Sequence, residues 1–249
     1  MTAPVADDVS IRAQKLRKMF GSFVAVDSLD LEIRRGDVFG LLGPNGSGKT
    51  TTIRMLCGLL DPTSGTATVA GFDVTREPEK VKRSIGYMSQ KYGLYDDLTV
   101  TENIRFYATV YGLFGRARAH RIDELLDELH LRPRASQRAG TLSGGWKQRL
   151  ALASATAHKP PVLFLDEPTA GVDPASRREF WQRIHALAAA GTTILVTTHY
   201  MDEASQCKHL AFLSRGHLIA VGTPDEVVKH FGQKTIEDVF IELQKRDEQ

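Results

Sequence analysis

Two hydrophobic periods divide this chain. Ile11 to Phe20 interleaves apolar residues with Arg12, Lys15, Arg17 and Lys18, which predicts a surface strand with a solvated basic face. Val24 to Ile33 alternates through Val26, Leu29, Leu31 and Ile33, the pattern of a half-buried strand. After the turn Arg35-Gly36-Asp37, Val38 to Leu42 is a continuous apolar run suited to a buried strand, and Thr51 to Leu60 predicts a helix. Asp61-Pro62-Thr63-Ser64-Gly65 breaks the pattern. Short strands are expected at Thr66 to Val69, at Phe72-Asp73-Val74 and at Ile85 to Met88, the last ending at Ser89-Gln90. The period then changes. From Thr99 to about Ala157 apolar residues recur at helical spacing, as in Ile104, Tyr107, Ala108, Tyr111 and in Ile122, Leu125, Leu126, Leu129. A helical subdomain is therefore expected at 91–158, closed by His158-Lys159-Pro160-Pro161.

Beyond it the strand signal returns. Val162 to Leu165 and Thr192 to Thr198 are runs of the kind buried on both faces of a parallel sheet. Between them Ala175 to Ala190 predicts a helix stopped by Gly191. A shorter helix is expected from Met201 to Cys207, then a hairpin of Leu210 to Ser214 and His217 to Val221 around Arg215-Gly216. Pro224 to Gln249 reads as a charged, amphipathic helical end. Buried strands alternating with helices predict an α/β fold with a mainly parallel sheet.

Composition narrows the function classes. The chain has 249 residues, 42% hydrophobic and 25% charged, with a formal net charge of +2, an ordinary globular balance. No basic stripe calls for a nucleic-acid partner. Cys57 and Cys207 have neither metal-ligand spacing nor the look of a disulfide framework, so a reducing compartment is expected. No apolar stretch approaches the ~20 residues of a membrane span. Met1 to Ser10 lacks the basic-then-apolar order of a signal peptide. Any work at a membrane is expected from its cytosolic side, through other subunits.

The chemistry starts at Gly43-Pro44-Asn45-Gly46-Ser47-Gly48-Lys49-Thr50, which reads G-x-x-x-x-G-K-S/T, the phosphate-cradling P-loop or Walker A motif. It lies between a predicted strand and a predicted helix, the context in which successive backbone N–H groups and a helix N-terminus face one anion. Lys49 supplies a mobile charge for the outer phosphates, Thr50 a hydroxyl for Mg²⁺, and Thr51 completes the phosphate-binding set. Ligands of such sheets sit at the carboxyl ends of the strands. A second buried strand ends there in Asp166-Glu167, two acids whose desolvation calls for a cation. Asp166 is the candidate Mg²⁺ ligand and Glu167 the group that orients or deprotonates a water; the rival reading is a pair of acids at a helix start. A third strand ends in His199, a candidate γ-phosphate contact, or else a packed or surface histidine. Phe20 either packs at a strand end or stacks on a base. Ser143 before Gly144-Gly145 reads as a helix N-cap, yet two glycines in a first turn cost ~1 kcal/mol each. Their gain would be N–H groups open to an anion.

Taken together these motifs resemble the nucleotide-binding subunit of an ATP-binding cassette (ABC) transporter, over essentially the whole length. Leu142-Ser143-Gly144-Gly145 is similar to the family signature, Gln90 to its Q-loop, Ala170-Gly171-Val172-Asp173 to its D-loop, His199 to its switch histidine and Phe20 to its adenine-stacking aromatic. The resemblance implies a P-loop NTPase core of residues 1–90 and 159–221 with an antiparallel β subdomain. It also implies an inserted α-helical subdomain at 91–158 that carries the signature, and a tail at 222–249, all one ATPase domain. ATP and Mg²⁺ are the implied ligands, with Thr50, Gln90 and Asp166 around the metal and Glu167, His199 and Gln90 around the reaction. Two cassettes are expected to close head-to-tail, a homodimer in which Leu142, Ser143, Gly144 and Gly145 serve the partner's ATP and Asp173 lies in the D-loop. Transmembrane permease subunits are the other implied partners, placing the chain at the cytoplasmic face of the cell membrane.

Three places depart from the family pattern. Trp146 stands where glutamine is usual, Gly171-Val172 replaces a serine-alanine-leucine pattern, and Phe20 replaces a commoner tyrosine. The strings Leu142 to Arg149, Thr198 to Ala204 and Thr235 to Phe240 are similar to the drug-export branch. Export of multidrug or other small hydrophobic compounds is the expectation. Import, and non-transport work on ribosomes or DNA, are the alternatives.

Overall fold

In chain order, residues 8–247 of the computed structural model, the described part of the chain, form β1 (Val9–Phe20), β2 (Phe23–Arg34), β3 (Val38–Leu42), α1 (Lys49–Leu56), β4 (Ser64–Val69), β5 (Phe72–Asp73), α2 (Pro78–Ser84), β6 (Ile85–Met88), α3 (Val100–Val110), α4 (Gly115–Glu128), α5 (Gly144–Ala155), β7 (Val162–Asp166), α6 (Pro174–Ala189), β8 (Thr193–Thr198), α7 (Met201–Ala204), β9 (His209–Ser214), β10 (His217–Gly222), α8 (Pro224–His230) and α9 (Ile236–Asp247). Over residues 1–7 the reading of Met1 to Ser10 lies outside the described part, as does the end of the tail at 248–249.

The expected mainly parallel sheet is present. It has six strands in the order β10-β9-β3-β8-β7-β6; all neighbours pair parallel except the β9–β10 hairpin. A second, antiparallel sheet runs β2-β1-β4-β5. Alternation along each buried strand divides the core into two layers. Val38 and Leu42 of β3, Leu163 and Leu165 of β7, and Ile194 and Val196 of β8 face the side that packs α3, α4, α5 and α6. Phe39, Leu41, Val162, Phe164 and Leu195 face the other side, against α1 and the antiparallel sheet. A strand buried on both faces has no polar position to spare, which is why these runs read as continuous hydrophobics.

Register sets up the site. β3 pairs with β8 so that Leu42 lies beside Thr198, and β8 pairs with β7 so that Thr197 lies beside Asp166. The three carboxyl ends that carry the P-loop, His199 and Asp166 are therefore neighbours on one rim.

Some elements differ from expectation for local reasons. α1 begins at Lys49, directly after Gly48, whose φ of +106° only glycine takes easily. A Cβ at Gly48 would also strike the Ala25 carbonyl oxygen. α1 ends early because Gly58 (φ +64°) closes it, with Gly58 N–H donating to Met55 O (3.0 Å) and Leu59 N–H to Arg54 O (2.9 Å), the Schellman pattern. α2 is an additional helix with Pro78 in its first turn and Val81 as its one buried residue. α7 is shorter than predicted. The tail is two helices, split at Gly232 (φ +65°) and restarted by Thr235, whose hydroxyl accepts from Asp238 N–H at 3.1 Å. Among the described residues no helix is long and apolar enough to cross a membrane. Cys57 and Cys207 are both free and buried.

Candidate functional site

An open cleft runs along the rim of the sheet, lined by Phe20, Phe23, Asn45, Gly46, Gly48, Lys49, Thr50, Thr51, Gln90 and Glu167. Lys49 is 5% exposed. Its ammonium donates to Gly43 O (2.7 Å) and Pro44 O (2.9 Å). Burial lowers its pKa, and the charges of Glu167 and Asp166 oppose that shift. Ser47 is buried too, and its hydroxyl has no hydrogen-bond partner. An orphaned buried donor in a glycine-rich loop before a helix suits an anion.

Asp166 ends β7 at 4% exposure. Its Oδ1 accepts from Thr197 Oγ1 at 2.7 Å and from Thr50 Oγ1 at 3.4 Å. The P-loop threonine and the strand carboxylate are thus adjacent, as two ligands of one cation must be. Glu167 takes a φ of +49°, a conformation unfavourable for a side chain with a Cβ. Its N–H donates to both Thr197 O (3.1 Å) and Thr197 Oγ1 (3.0 Å), bonds that hold the turn. The turn brings Glu167 Oε2 to Gln90 Nε2, which donates at 3.0 Å, and to within 3.4 Å of His199 Nδ1. The P-loop, Asp166, Glu167, Gln90 and His199 therefore converge. Phe20 lines the same cleft, 51% exposed, with Lys18 Nζ 5.3 Å from its ring centre.

Ser143, Gly144 and Gly145 do not line this cleft. Ser143 occupies the N-cap position of α5, but contrary to the capping expectation its side chain makes no cap hydrogen bond. Ser143 and Gly144 are exposed, so the helix end is open. Gly145 sits where a Cβ would press on Ser176 Oγ at 2.6 Å, so the signature packs against the start of α6. Asp173 caps α6, its Oδ1 accepting from Ala175 N–H (3.1 Å) and Ser176 N–H (3.0 Å). The Ser176 amide bond heads the causes that hold its pKa below the usual range.

Sequence reasoning missed four residues. Phe23, 62% exposed, joins Phe20 in the cleft. The turn at Gly21, which sets both rings at one hairpin end, was its available signal. Thr197 binds Asp166 and Glu167 together. Gln148, 1% exposed, donates from α5 to Pro168 O at 2.9 Å, tying the signature helix to the segment after Glu167. Glu203, also 1% exposed, accepts from Thr198 Oγ1 at 2.6 Å. For these last three, nothing local marks the role.

Residues 26–170 match the family described as ABC transporter. The chain is 48% identical over 238 residues to YbhF of Escherichia coli (strain K12), a probable multidrug ABC transporter ATP-binding protein; the match covers 94% of this chain and 41% of that protein. The chain thus spans about two fifths of that relative's length. It is 41% identical to the daunorubicin resistance ATP-binding protein DrrA2 of Streptomyces coeruleorubidus, over 95% of this chain and 74% of the relative. Among solved structures, an ATP-binding subunit of an ABC transporter superposes with a TM-score of 0.85 at 30% identity, covering 94% of this chain and 99% of that one. A dimeric post-hydrolysis ATP-binding cassette bound to ADP and Pi gives 0.78 at 27% identity, covering 86% and 98%.

Proposed function

The chain belongs to the ABC transporter family, and from that premise we propose that it is an ATPase whose hydrolysis drives export of small hydrophobic compounds through transmembrane permease subunits. The observation that carries the reading is that Gln90 and His199 both meet Glu167 beside the P-loop, while the open signature helix lies outside that cleft. One chain holds the triphosphate-facing half of a site and presents the other half for a second cassette. A homodimer closed around two ATP molecules completes both. The names of the relatives, multidrug and daunorubicin resistance, support export. The working location is the cytoplasmic face of a cell membrane. On this reading 1–90 and 159–221 form the nucleotide core, 91–158 the signature-bearing helical unit and 222–249 the tail.

The donor set fits Mg²⁺. Among the described residues no group of three His, Cys, Asp or Glu gathers for a metal. The Thr50 hydroxyl and the Asp166 carboxylate are hard oxygen donors side by side, and Mg²⁺ takes few protein ligands and keeps water. Gln90 would add its amide oxygen. When bound there, the ion neutralises charge on the outer phosphates. The remaining chemistry belongs to the chain. Lys49 exchanges the Gly43 and Pro44 carbonyls for phosphate oxygens, and Thr51 and the P-loop amides hold the same group. Phe20 and Phe23 offer ring faces to adenine. Glu167 orients the attacking water and takes its proton, and His199 and Gln90 fix where that carboxylate points. ATP favours the closed pair, and loss of the γ-phosphate releases it.

The test is ATP turnover by the purified chain as a function of its concentration. Specific activity should climb with protein concentration and then saturate. A rate strictly proportional to concentration down to high dilution would contradict the shared site.

A further inference from the structure

Glu203 lies outside the nucleotide cleft, and an apolar side chain would fill its place on α7 without a charge to desolvate. Its two oxygens are nonetheless both engaged. Oε2 accepts from Thr198 Oγ1 at 2.6 Å, and Oε1 accepts from Thr169 Oγ1. Arg177 Nε of α6 is 3.6 Å from Oε1, an ion pair, and the buried Trp181 indole lies beside the carboxylate. Burial pushes the Glu203 pKa up, and the Thr198 hydroxyl and Arg177 work against that.

The partners give this carboxylate a functional address. Thr198 is the residue before His199, and Thr169 follows Glu167 by two. Arg177 opens the second turn of the D-loop helix, its N–H bonded to Asp173 O at 3.0 Å. Its guanidinium lies 4.3 Å from the centre of the Tyr200 ring, and that ring is 4.2 Å from the His199 ring. One acid therefore joins the strand end that carries His199, the segment leaving Glu167 and the helix behind Asp173.

We propose that Glu203 is a positioning residue for hydrolysis: by accepting from Thr198 and Thr169 it sets His199 against Glu167, and through Arg177 it links that register to the D-loop. It touches no reacting atom and acts through His199. The proposal rests on the ATPase reading above, and its test separates the two. The His199 ring signals, assigned by comparison with His199→Gln, are recorded by NMR for the wild type, Glu203→Gln and Thr169→Val, alongside kcat and KM for ATP. Thr169→Val removes one donor and keeps the shape, so it decides the matter if Glu203→Gln fails to fold. The His199 signals should move in both variants. Turnover should fall by about tenfold or more in Glu203→Gln, and less in Thr169→Val, with KM for ATP little changed. Unmoved His199 signals, or a raised KM at unchanged kcat, would overturn the proposal. A wild-type chain without turnover sinks the ATPase reading instead, and the ring signals still decide the role of Glu203.

Discussion

Gln90 Nε2 donates to Glu167 Oε2 at 3.0 Å, across 77 positions of sequence. The bond joins the end of β6 to the turn after β7, two parallel neighbours in the sheet. His199 approaches the same oxygen at 3.4 Å from the end of β8. Three strand ends thus meet at one carboxylate, held by the Gln90 bond, and the φ of +49° at Glu167 is the backbone strain that aims it.

Glu167→Gln keeps the size and removes the carboxylate that the proposed function makes the base. Nucleotide binding, which rests on the P-loop, should persist, while kcat falls by about 10²-fold or more. With ATP the variant should accumulate as a dimer, because the γ-phosphate that bridges the halves is no longer removed. Single-turnover kinetics and gel filtration check both expectations. Turnover at the wild-type rate would remove Glu167 from the reaction.

Thr197→Val tests the hydroxyl that serves both acids. Valine keeps the β-branched shape that suits β8, so the strand should survive. Lost are the donation to Asp166 Oδ1 (2.7 Å) and the acceptance from Glu167 N–H (3.0 Å). The bond from Glu167 N–H to Thr197 O remains. Urea unfolding should show a loss of about 1–3 kcal/mol, and kcat should fall because the strained turn relaxes. An unchanged unfolding midpoint would mean that water replaces the hydroxyl.

How far this was legible in the sequence depended on whether a signal was local. β3 was bounded correctly because its apolar run stops sharply at Asp37 and Gly43. β7 and β8 read as buried strands for the same reason. α2 was invisible because a seven-residue helix with Val81 as its only buried side chain has no period to detect. The P-loop was a candidate from its local spacing, Asp166, Glu167 and His199 from their place at the ends of predicted strands, Ser143 from its place before two glycines at a helix start, and Gln90 only from the family resemblance. Thr197, Gln148 and Glu203 were not. Their roles arise from strand register and from contacts across 20 to 34 positions, which no window of sequence displays; only the Glu203 bond to Thr198 is local, at five positions. Ser143 shows the converse: its residue type predicts a capping bond that the fold does not make.

Acid should destabilise the fold through His158. Its ring stacks on Tyr111 (3.6 Å between centroids, 10° between planes), and Nε2 lies 3.1 Å from Ile85 O, as a neutral ring donating there would. Burial pushes its pKa from 6.5 down to about 4, and the bond to Ile85 opposes this. Above the unfolded value the ring is neutral in both states. As pH falls from 6.5 toward 4 the unfolded chain takes a proton that the folded ring refuses, so stability is lost across that window. Below it both states are charged and the loss levels off. The full effect is at most about 3 kcal/mol, reduced by the ring's partial exposure. His158→Phe keeps the stack and removes the proton, so its unfolding free energy should change less between pH 7 and about 4.5 than that of the wild type. Equal slopes for the two proteins would exclude His158 as the source.

Trp146 is the departure in the signature that the structure explains. Its ring is partly buried against the helical side of the core and lies between two guanidiniums, Arg134 at 5.6 Å and Arg149 at 5.0 Å. Arg149 also pairs with Glu179 of α6. The side chain is thus anchored within its own subunit. On the proposed reading the donors that the signature offers an anion are the backbone N–H groups of the first turn of α5, which do not depend on this side chain. Trp146→Gln, which restores the residue usual in the family, should therefore leave ATP turnover within a few-fold of wild type. It should cost about 2–3 kcal/mol of stability, from two cation–π contacts of about 0.5–1 kcal/mol each and about 1 kcal/mol of the ring's partly buried apolar packing. Urea unfolding and steady-state ATPase rates on the same preparation measure both. If turnover instead drops by more than about tenfold while the unfolding midpoint holds, the Trp146 side chain contributes to the partner's nucleotide site, and the backbone-only account of the signature is wrong.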